Sequence, residues 1–177
     1  LAPLFDTPGV DWVSLQKPDS YATLESLPSH LANVGPHLTD FAQTAAVISL
    51  LDVVITIDTA VAHLAGAMGM PAWTLLPILP DWRWFLDGRR SPWYPSMRLF
   101  RQEIAGDWSA PARRMADAIT ALRRQSKMKV DIPATFPGAT PELPSSSGTP
   151  GQVDSLFQKG LQLSVAGNLN AAVAVYQ

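Results

Sequence analysis

The sequence predicts an α/β protein built around a parallel, doubly wound sheet, and three observations support this fold class. Two apolar runs, Val53–Ile57 and Ala72–Leu76, show no alternation of polarity, which is typical of strands buried on both faces. A helical pattern of small residues, roughly Ala60–Met68, lies between them with short turns on either side. The 177-residue chain is 47% apolar, which is enough for a substantial core. We therefore expect one α/β domain over residues 1–128.

The segment before this unit predicts two strands and a helix. Asp11–Leu15 has strand character, and a second short strand is expected over Leu31–Val34, ending at the Gly-Pro pair that follows. Thr39 or Asp40 then supplies a residue type that caps helix N-termini. The helix itself is predicted from apolar residues at helical spacing, namely Phe41, Ala45, Ile48 and Leu51.

After Pro77 the chain becomes aromatic and proline-rich, which predicts a packed, irregular excursion. Its aromatic residues include Trp82, Trp84, Phe85, Trp93 and Tyr94. A final helix is expected to begin at Asp107 or Ser109, with an apolar stripe on one face and arginines on the other. The stripe is Met115, Ile119 and Leu122, and the arginines are Arg113, Arg114, Arg123 and Arg124.

The last third of the chain predicts a linker and a helical hairpin. Asp131–Gly151 is rich in Pro, Gly, Ser and Thr and has too few large aliphatic residues to bury a core, so we expect a flexible linker over residues 129–152. Val153–Val165 and Leu169–Gln177 then predict two short helices, which make residues 153–177 resemble an incomplete tetratricopeptide repeat. The matching positions are Leu156, Gly160, Leu163, Gly167, Leu169, Ala172 and Tyr176. Because a repeat needs a stacked neighbour, we expect the chain to be part of a longer protein.

Composition excludes several classes of partner and site. A net charge of −2 from 13 basic and 15 acidic residues predicts no binding to nucleic acid or to an anionic membrane. The most apolar stretch, Phe41–Pro77, is interrupted by charged residues before it reaches the roughly 20 residues of a membrane span. No cysteine and no signal peptide are present, so disulfides and thiolate metal sites are excluded and a cytoplasmic location is the default expectation.

The candidate binding site is the turn Asp58–His63, between a buried strand and a helix of small residues. Unpaired backbone N–H groups at a helix N-terminus bind anions such as a diphosphate. The Thr59 hydroxyl and the His63 imidazole, one turn into the helix, would add two donors. The alternative interpretation is a capped helix in which His63 has only a structural role.

The stretch Val53–Leu76 resembles the signature of glycosyltransferase family 9, the heptosyltransferase-like enzymes that act on lipopolysaccharide. That signature reads Asp-Thr-Gly-x-x-His-Leu-Ala-x-x-x-Gly-x-Pro, and it is matched by Asp58, Thr59, His63, Leu64, Ala65, Gly69 and Pro71. The resemblance covers about Asp11–Ala121. Two aromatic motifs, Pro80–Trp84 and Ser91–Pro95, resemble a bacterial variant of this domain that accompanies tetratricopeptide repeats.

The resemblance implies a GT-B glycosyltransferase, in which two Rossmann-like domains hold a nucleotide-sugar between them. This chain would be the C-terminal, nucleotide-sugar-binding half, and the reaction would transfer a glycosyl group to a carbohydrate or protein acceptor. Thr59, Ala60 and His63 would contact the diphosphate, and Asp58 would lie near the donor sugar or hold the turn. No catalytic residue is assigned, and we expect no metal and no cofactor besides the donor substrate.

Two departures from the family pattern favour an alternative function. Ala60 stands where the family often has glycine, and a methyl group there is unfavourable if the position needs a positive φ or close phosphate approach. The family's N-terminal half, and the first strand of this domain with its basic phosphate-binding residue, are expected to be absent. The isolated chain is therefore not expected to turn over. The alternative is a non-catalytic, transferase-like scaffold whose repeats mediate protein contacts.

Three other groups of residues were weighed as sites. The tryptophans would stack on a nucleobase or sugar ring, although clustered tryptophans are more often core anchors. Three arginines would replace the basic phosphate-binding residue that is expected to be absent. They are Arg83, Arg98 and Arg101. Arginines are, however, more often exposed or ion-paired than part of a phosphate site. His30 and His37 lie on separate elements from His63 and lack metal-ligand spacing, so no metal site is predicted.

Overall fold

The computed structural model of the chain describes residues 2–17, 31–130 and 169–174. The described strands are β1 (Val10–Ser14), β2 (Ala32–Asn33), β3 (Val53–Ile57), β4 (Ala72–Leu76), β5 (Met97–Arg101) and β6 (Leu169–Ala174). The described helices are α1 (Ala2–Phe5), α2 (Phe41–Ile48), α3 (Ala60–Ala67) and α4 (Ser109–Val130), with 3₁₀ turns at Gly35–His37 and Trp82–Trp84. The strands form one sheet in the order β2-β1-β6-β3-β4-β5, and each neighbouring pair is parallel.

Helices cover both faces of this sheet. On one face, α2 and α3 pack against residues such as Val54 of β3, and on the other face α1 and α4 pack against Val53 and Ile55 of the same strand. All three of these β3 residues are completely buried. Because β3 is covered on both sides, all of its side chains except the buried Thr56 are apolar. The predicted α/β fold with a parallel sheet is confirmed.

The turns around α2 and α3 follow from their capping residues. Asp40 is the N-cap residue of α2, and its carboxylate accepts a hydrogen bond from the Gln43 N–H at 2.8 Å. After the C-terminus of α3, Gly69 has a φ of 69° and the Met70 N–H donates to the Ala65 carbonyl. This arrangement ends α3 where the sequence predicts, because glycine adopts a left-handed conformation without steric cost.

The segment Leu169–Ala174 forms a central strand, so the prediction of a helix over Leu169–Gln177 is wrong for these six residues. Its Ala172 lies in register with Val13 of β1 and with Val54 of β3. A strand between two others has backbone hydrogen-bond partners along both edges, whereas the helices of one incomplete repeat lack a surface to pack against. The first predicted helix of the hairpin, Val153–Val165, and nearly all of the predicted linker lie outside the described residues.

The strand order places β6 at the position of the first strand in a doubly wound fold. In that fold the order along the sheet is 3-2-1-4-5-6. β2 and β1 take the positions of strands 3 and 2, and β3, β4 and β5 take those of strands 4, 5 and 6. Sequence analysis expected the domain to lack its first strand, and β6 fills that position. Ligands of such sheets bind where the strand order reverses, beyond the carboxyl ends of the central strands. Here that point lies between β6 and β3.

Two described elements were not predicted, namely α1 and β5. β5 is one of the two edge strands. Its side chains do not alternate regularly between buried and exposed, and Arg98 is exposed. Residues 89–91 cover its outer edge in the antiparallel sense, with an isolated bridge between Arg90 and Arg98. Among the described residues, none of the helices combines the length and the apolar character that a membrane crossing requires.

Candidate functional site

The turn that follows β3 brings Asp58 and Thr59 to the carboxyl edge of the sheet, beside the point where the strand order reverses. Thr59 occupies the N-cap position of α3 with an extended backbone, but its side chain makes no capping hydrogen bond. Its hydroxyl instead lies 3.0 Å from the hydroxyl of the buried Thr56. Thr59 therefore caps α3 by position alone, without a side-chain hydrogen bond.

The first turn of α3 retains unpaired backbone donors. The N–H groups of Ala62 and His63 donate to the Thr59 carbonyl, at 3.0 and 3.4 Å. Within the described part of the chain, the N–H groups of Ala60 and Val61 have no hydrogen-bond partner. Together with the positive end of the helix dipole, these two donors favour an anion at this position.

Ala60 does not occupy a position that requires glycine conformationally. It is the first residue of α3, and the sole described non-glycine residue with a positive φ is Phe85. The departure from the family's glycine therefore carries no backbone strain. The difference from glycine is therefore limited to the volume of the methyl group. Ala60 is exposed, and its methyl group lies beside the two unpaired N–H groups.

His63 is the centre of a cluster of side chains. Its Nδ1 lies 3.0 Å from the Tyr94 hydroxyl, and its Nε2 lies 3.6 Å from an Asp58 carboxylate oxygen. The imidazole stacks on Trp84, with ring centroids 5.3 Å apart and an angle of 23° between the planes. The ring is therefore held by contacts on several sides, while part of it stays exposed to solvent.

The predicted aromatic excursion is packed, and its tryptophans divide into two groups. Trp84 is completely buried and belongs to the core on the α3 face, as expected for a core anchor. Trp82 and Trp93 are exposed to 70% and 55%, and Trp93 stacks on Phe85. Sequence reasoning named Trp84 and Tyr94 but did not connect either of them with His63.

Charged side chains in the excursion are engaged by their own neighbours. Asp81 accepts hydrogen bonds from the backbone and the guanidinium of Arg83, at 3.1 and 2.7 Å. The backbone hydrogen bond contributes most to holding the pKa of Asp81 below its ordinary value, with the Arg83 guanidinium and the nearby His63 acting in the same direction.

Arg101 holds the excursion from the edge of the sheet. Its guanidinium donates to the carbonyls of Trp84, Phe85, Asp87 and Gly88. These bonds fix the loop in which Phe85 adopts a φ of 56°. Partial burial lowers the pKa of Arg101 from its ordinary value, and the charge of Asp87 acts in the opposite direction.

The predicted arginine candidates therefore do not gather at the Asp58–His63 turn. Arg83 pairs with Asp81, and Arg98 lies over the rings of Trp73 and Phe100. A cleft of about 310 Å³ does run along β5, lined by Arg89, Arg98, Arg101, Arg114 and others. Of these, Arg98 and Arg101 are engaged as described, and Arg114 pairs with Glu103. We therefore prefer the turn after β3 as the binding site.

His37 lies in the 3₁₀ turn after β2, and His30 lies outside the described residues. The described residues contain no group of three or more His, Cys, Asp or Glu side chains placed to hold a metal ion.

Two comparisons with known proteins found similarities. Residues 12–77 match the family model described as glycosyltransferase family 9 (heptosyltransferase). The chain is also 33% identical, over 123 residues, to Protein FlbA of Caulobacter vibrioides, in an alignment that covers 66% of this chain and 20% of FlbA. The chain thus spans about a fifth of the length of that relative. No solved structure matches the chain. The matched range contains the last three residues of β1 and all of β3, α3 and the Asp58–His63 turn.

Proposed function

We propose that this chain carries the nucleotide-sugar-binding half of a GT-B glycosyltransferase, similar to the heptosyltransferases of family 9. The observation that carries the proposal is the place of the Asp58–His63 turn. It lies within the family match at residues 12–77, at the carboxyl end of β3, with unpaired helix N–H groups beside it. The proposed substrate is a nucleoside-diphosphate sugar, and the proposed acceptor is a carbohydrate or a protein.

Each residue of the turn has a chemical role in this proposal. The N–H groups of Ala60 and Val61 donate to phosphate oxygens. The Thr56 hydroxyl donates its hydrogen to the Ile57 carbonyl, so Thr59 donates to Thr56 in the ligand-free chain. The Thr59 hydroxyl would add a third donor by turning its hydrogen to a phosphate oxygen. The Nε2 of His63 adds a charge-assisted hydrogen bond when the ring is protonated. Asp58 is an acceptor that suits the hydroxyl groups of the donor sugar.

Catalysis would come mainly from stabilising the charge that develops on the leaving diphosphate. Preorganised N–H dipoles and a histidine supply that stabilisation without reorganising during the reaction. The acceptor site and the general base would belong to the other half of the enzyme. We therefore expect this chain to bind the donor without transferring the sugar.

A second candidate function is a non-catalytic scaffold, and one specific observation favours it. Within the described residues, the arginines singled out from the sequence are engaged by other groups: Arg83 by Asp81, Arg98 by the Trp73 ring and Arg101 by loop carbonyls. A diphosphate site without a basic side chain besides His63 would bind weakly. In this alternative, the transferase-like domain would serve as a scaffold for contacts with protein partners.

Calorimetric titration of the full chain with ADP, UDP and GDP separates the two functions. We expect one of these nucleotides to bind, and expect Thr59→Ala and His63→Ala each to weaken binding by about 1–3 kcal/mol, the range for hydrogen bonds to charged groups. Thr120→Ala is the control, because the Thr120 hydroxyl bonds to the Ala116 carbonyl within α4. Absence of binding by a chain whose circular dichroism shows a folded α/β protein would favour the scaffold.

A further inference from the structure

We infer that Tyr94 is a positioning residue, which keeps the proton of the neutral His63 imidazole on Nε2, the nitrogen that faces the turn after β3. The benefit to the protein rests on the proposed function, because that turn is the proposed diphosphate site. The position of the proton is a property of the chain alone.

The two groups on either side of the imidazole act in the same direction. The Asp58 carboxylate near Nε2 has no hydrogen to donate when ionised, so it favours the tautomer with hydrogen on Nε2. Nδ1 is then an acceptor, and the Tyr94 hydroxyl, 3.0 Å away, is its donor. In the opposite tautomer, Nδ1–H would have to donate to the Tyr94 oxygen, and a phenol hydroxyl is a stronger donor than acceptor. The Nε2 lone pair would also face a carboxylate.

Tyr94 is itself held firmly enough to act in this way. The hydroxyl of the buried Ser91 accepts from the N–H groups of Trp93 and Tyr94, at 3.2 and 3.3 Å. The Tyr94 ring packs on α3 at Gly66, where an added Cβ would lie 2.5 Å from the Tyr94 Cγ. Glycine at position 66 therefore allows the ring to approach the helix that carries His63.

The consequence for binding concerns the hydrogen on Nε2. At 3.6 Å from Asp58, this nitrogen is too far for a hydrogen bond to the carboxylate, so its hydrogen stays available to an anionic oxygen. If the proton moved to Nδ1, a lone pair would face the phosphate instead. Two carboxylates lie near the ring, those of Asp58 and Asp81. Asp81 is close enough that the charge of a protonated His63 contributes to lowering the pKa of Asp81.

The tautomer can be measured in the full, ligand-free chain by ¹⁵N spectroscopy of histidine side chains, above the pH range in which histidine is protonated. The His63 signals are assigned by their loss in His63→Ala. In the wild type we expect the Nε2-protonated form to dominate. In Tyr94→Phe we expect the ratio of the two tautomers to move about 5-fold toward Nδ1, because the hydrogen bond in which Tyr94 donates is the stronger of the two that its hydroxyl can make with Nδ1.

Two further variants separate positioning from a general disturbance of the loop. Gly66→Ala keeps the Tyr94 hydroxyl but displaces its ring, so we expect a shift in the same direction. Trp93→Phe changes the neighbouring residue, whose indole N–H bonds to the Arg83 carbonyl, and we expect it to leave the tautomer ratio unchanged. A Tyr94→Phe ratio within twofold of the wild type, or an equal shift in Trp93→Phe, would overturn the inference.

Nucleotide titration adds a readout that depends on the proposed function. There we expect Tyr94→Phe to weaken binding in the wild-type background and to have no effect in the His63→Ala background, because it acts through His63. If no nucleotide binds while the tautomer shifts as expected, the proposed function fails and the positioning role stands. If nucleotide binds and the tautomer ratio does not change in Tyr94→Phe, the positioning role fails and the proposed function stands.

Discussion

Replacing Ala172 with proline is expected to lower the free energy of unfolding by about 3 kcal/mol. β6 lies between β1 and β3, and Ala172 is in register with residues of both. Proline removes one backbone donor from a strand that is paired along both edges, and its ring does not fit the interior of a sheet. The lost hydrogen bond leaves a buried carbonyl without its partner, which adds to the steric cost. Urea unfolding followed by circular dichroism measures the change.

The control for this prediction is Ala172→Gly, which keeps the N–H group. We expect it to cost only about 0.5–1 kcal/mol, the conformational cost of glycine in a strand. If Ala172→Pro is as stable as the wild type, Leu169–Ala174 does not belong to the sheet. The helix predicted over Leu169–Gln177 would then regain its support.

Truncating Trp84 to alanine is expected to lower the free energy of unfolding by about 3–5 kcal/mol. Trp84 is completely buried in the core on the α3 face, so the substitution leaves a large cavity. It also removes the ring on which His63 stacks, and binding of the nucleoside diphosphate should weaken in parallel. Thermal and urea unfolding give the stability, and calorimetry of the folded fraction gives the affinity.

Trp84→Phe is the matched control for this truncation. Within the described residues the indole N–H of Trp84 has no hydrogen-bond partner, so phenylalanine gives up no hydrogen bond. It keeps an aromatic face for His63, and we expect it to cost no more than about 1.5 kcal/mol. Equal destabilisation by the two substitutions would contradict the packing described for Trp84, as would a Trp84→Ala variant of wild-type stability.

Sequence patterns predicted the centre of the sheet well because burial on both faces leaves a clear signature. β3 and β4 are continuous apolar runs, and the residues that cap or end the neighbouring helices are of the types those positions require. β5 was missed because it is an edge strand that carries two arginines. β6 was predicted as helix because Leu169 and Ala172 match the spacing of a tetratricopeptide repeat, and so short a run has no period that would distinguish a strand.

The candidate site was predictable from the sequence only for the residues that lie close together along the chain. Asp58, Thr59 and His63 lie on one turn, so the strand-to-helix transition brings them together. Tyr94 reaches His63 from 31 residues further along the chain. That contact depends on the fold of the aromatic excursion, which four hydrogen bonds from Arg101 hold in place. No periodic pattern marks such a loop, so the sequence named the residue without its role.

The most direct test of the proposed diphosphate site is amide chemical-shift mapping. The spectrum of the ¹⁵N-labelled full chain would be followed during titration with the nucleoside diphosphate that binds best. We predict the largest changes at the amides of residues 59–63, above all at Ala60 and Val61, whose N–H groups are unpaired within the described residues. Changes concentrated on the arginine-lined cleft along β5, or no changes from a folded chain, would contradict a diphosphate site at this turn.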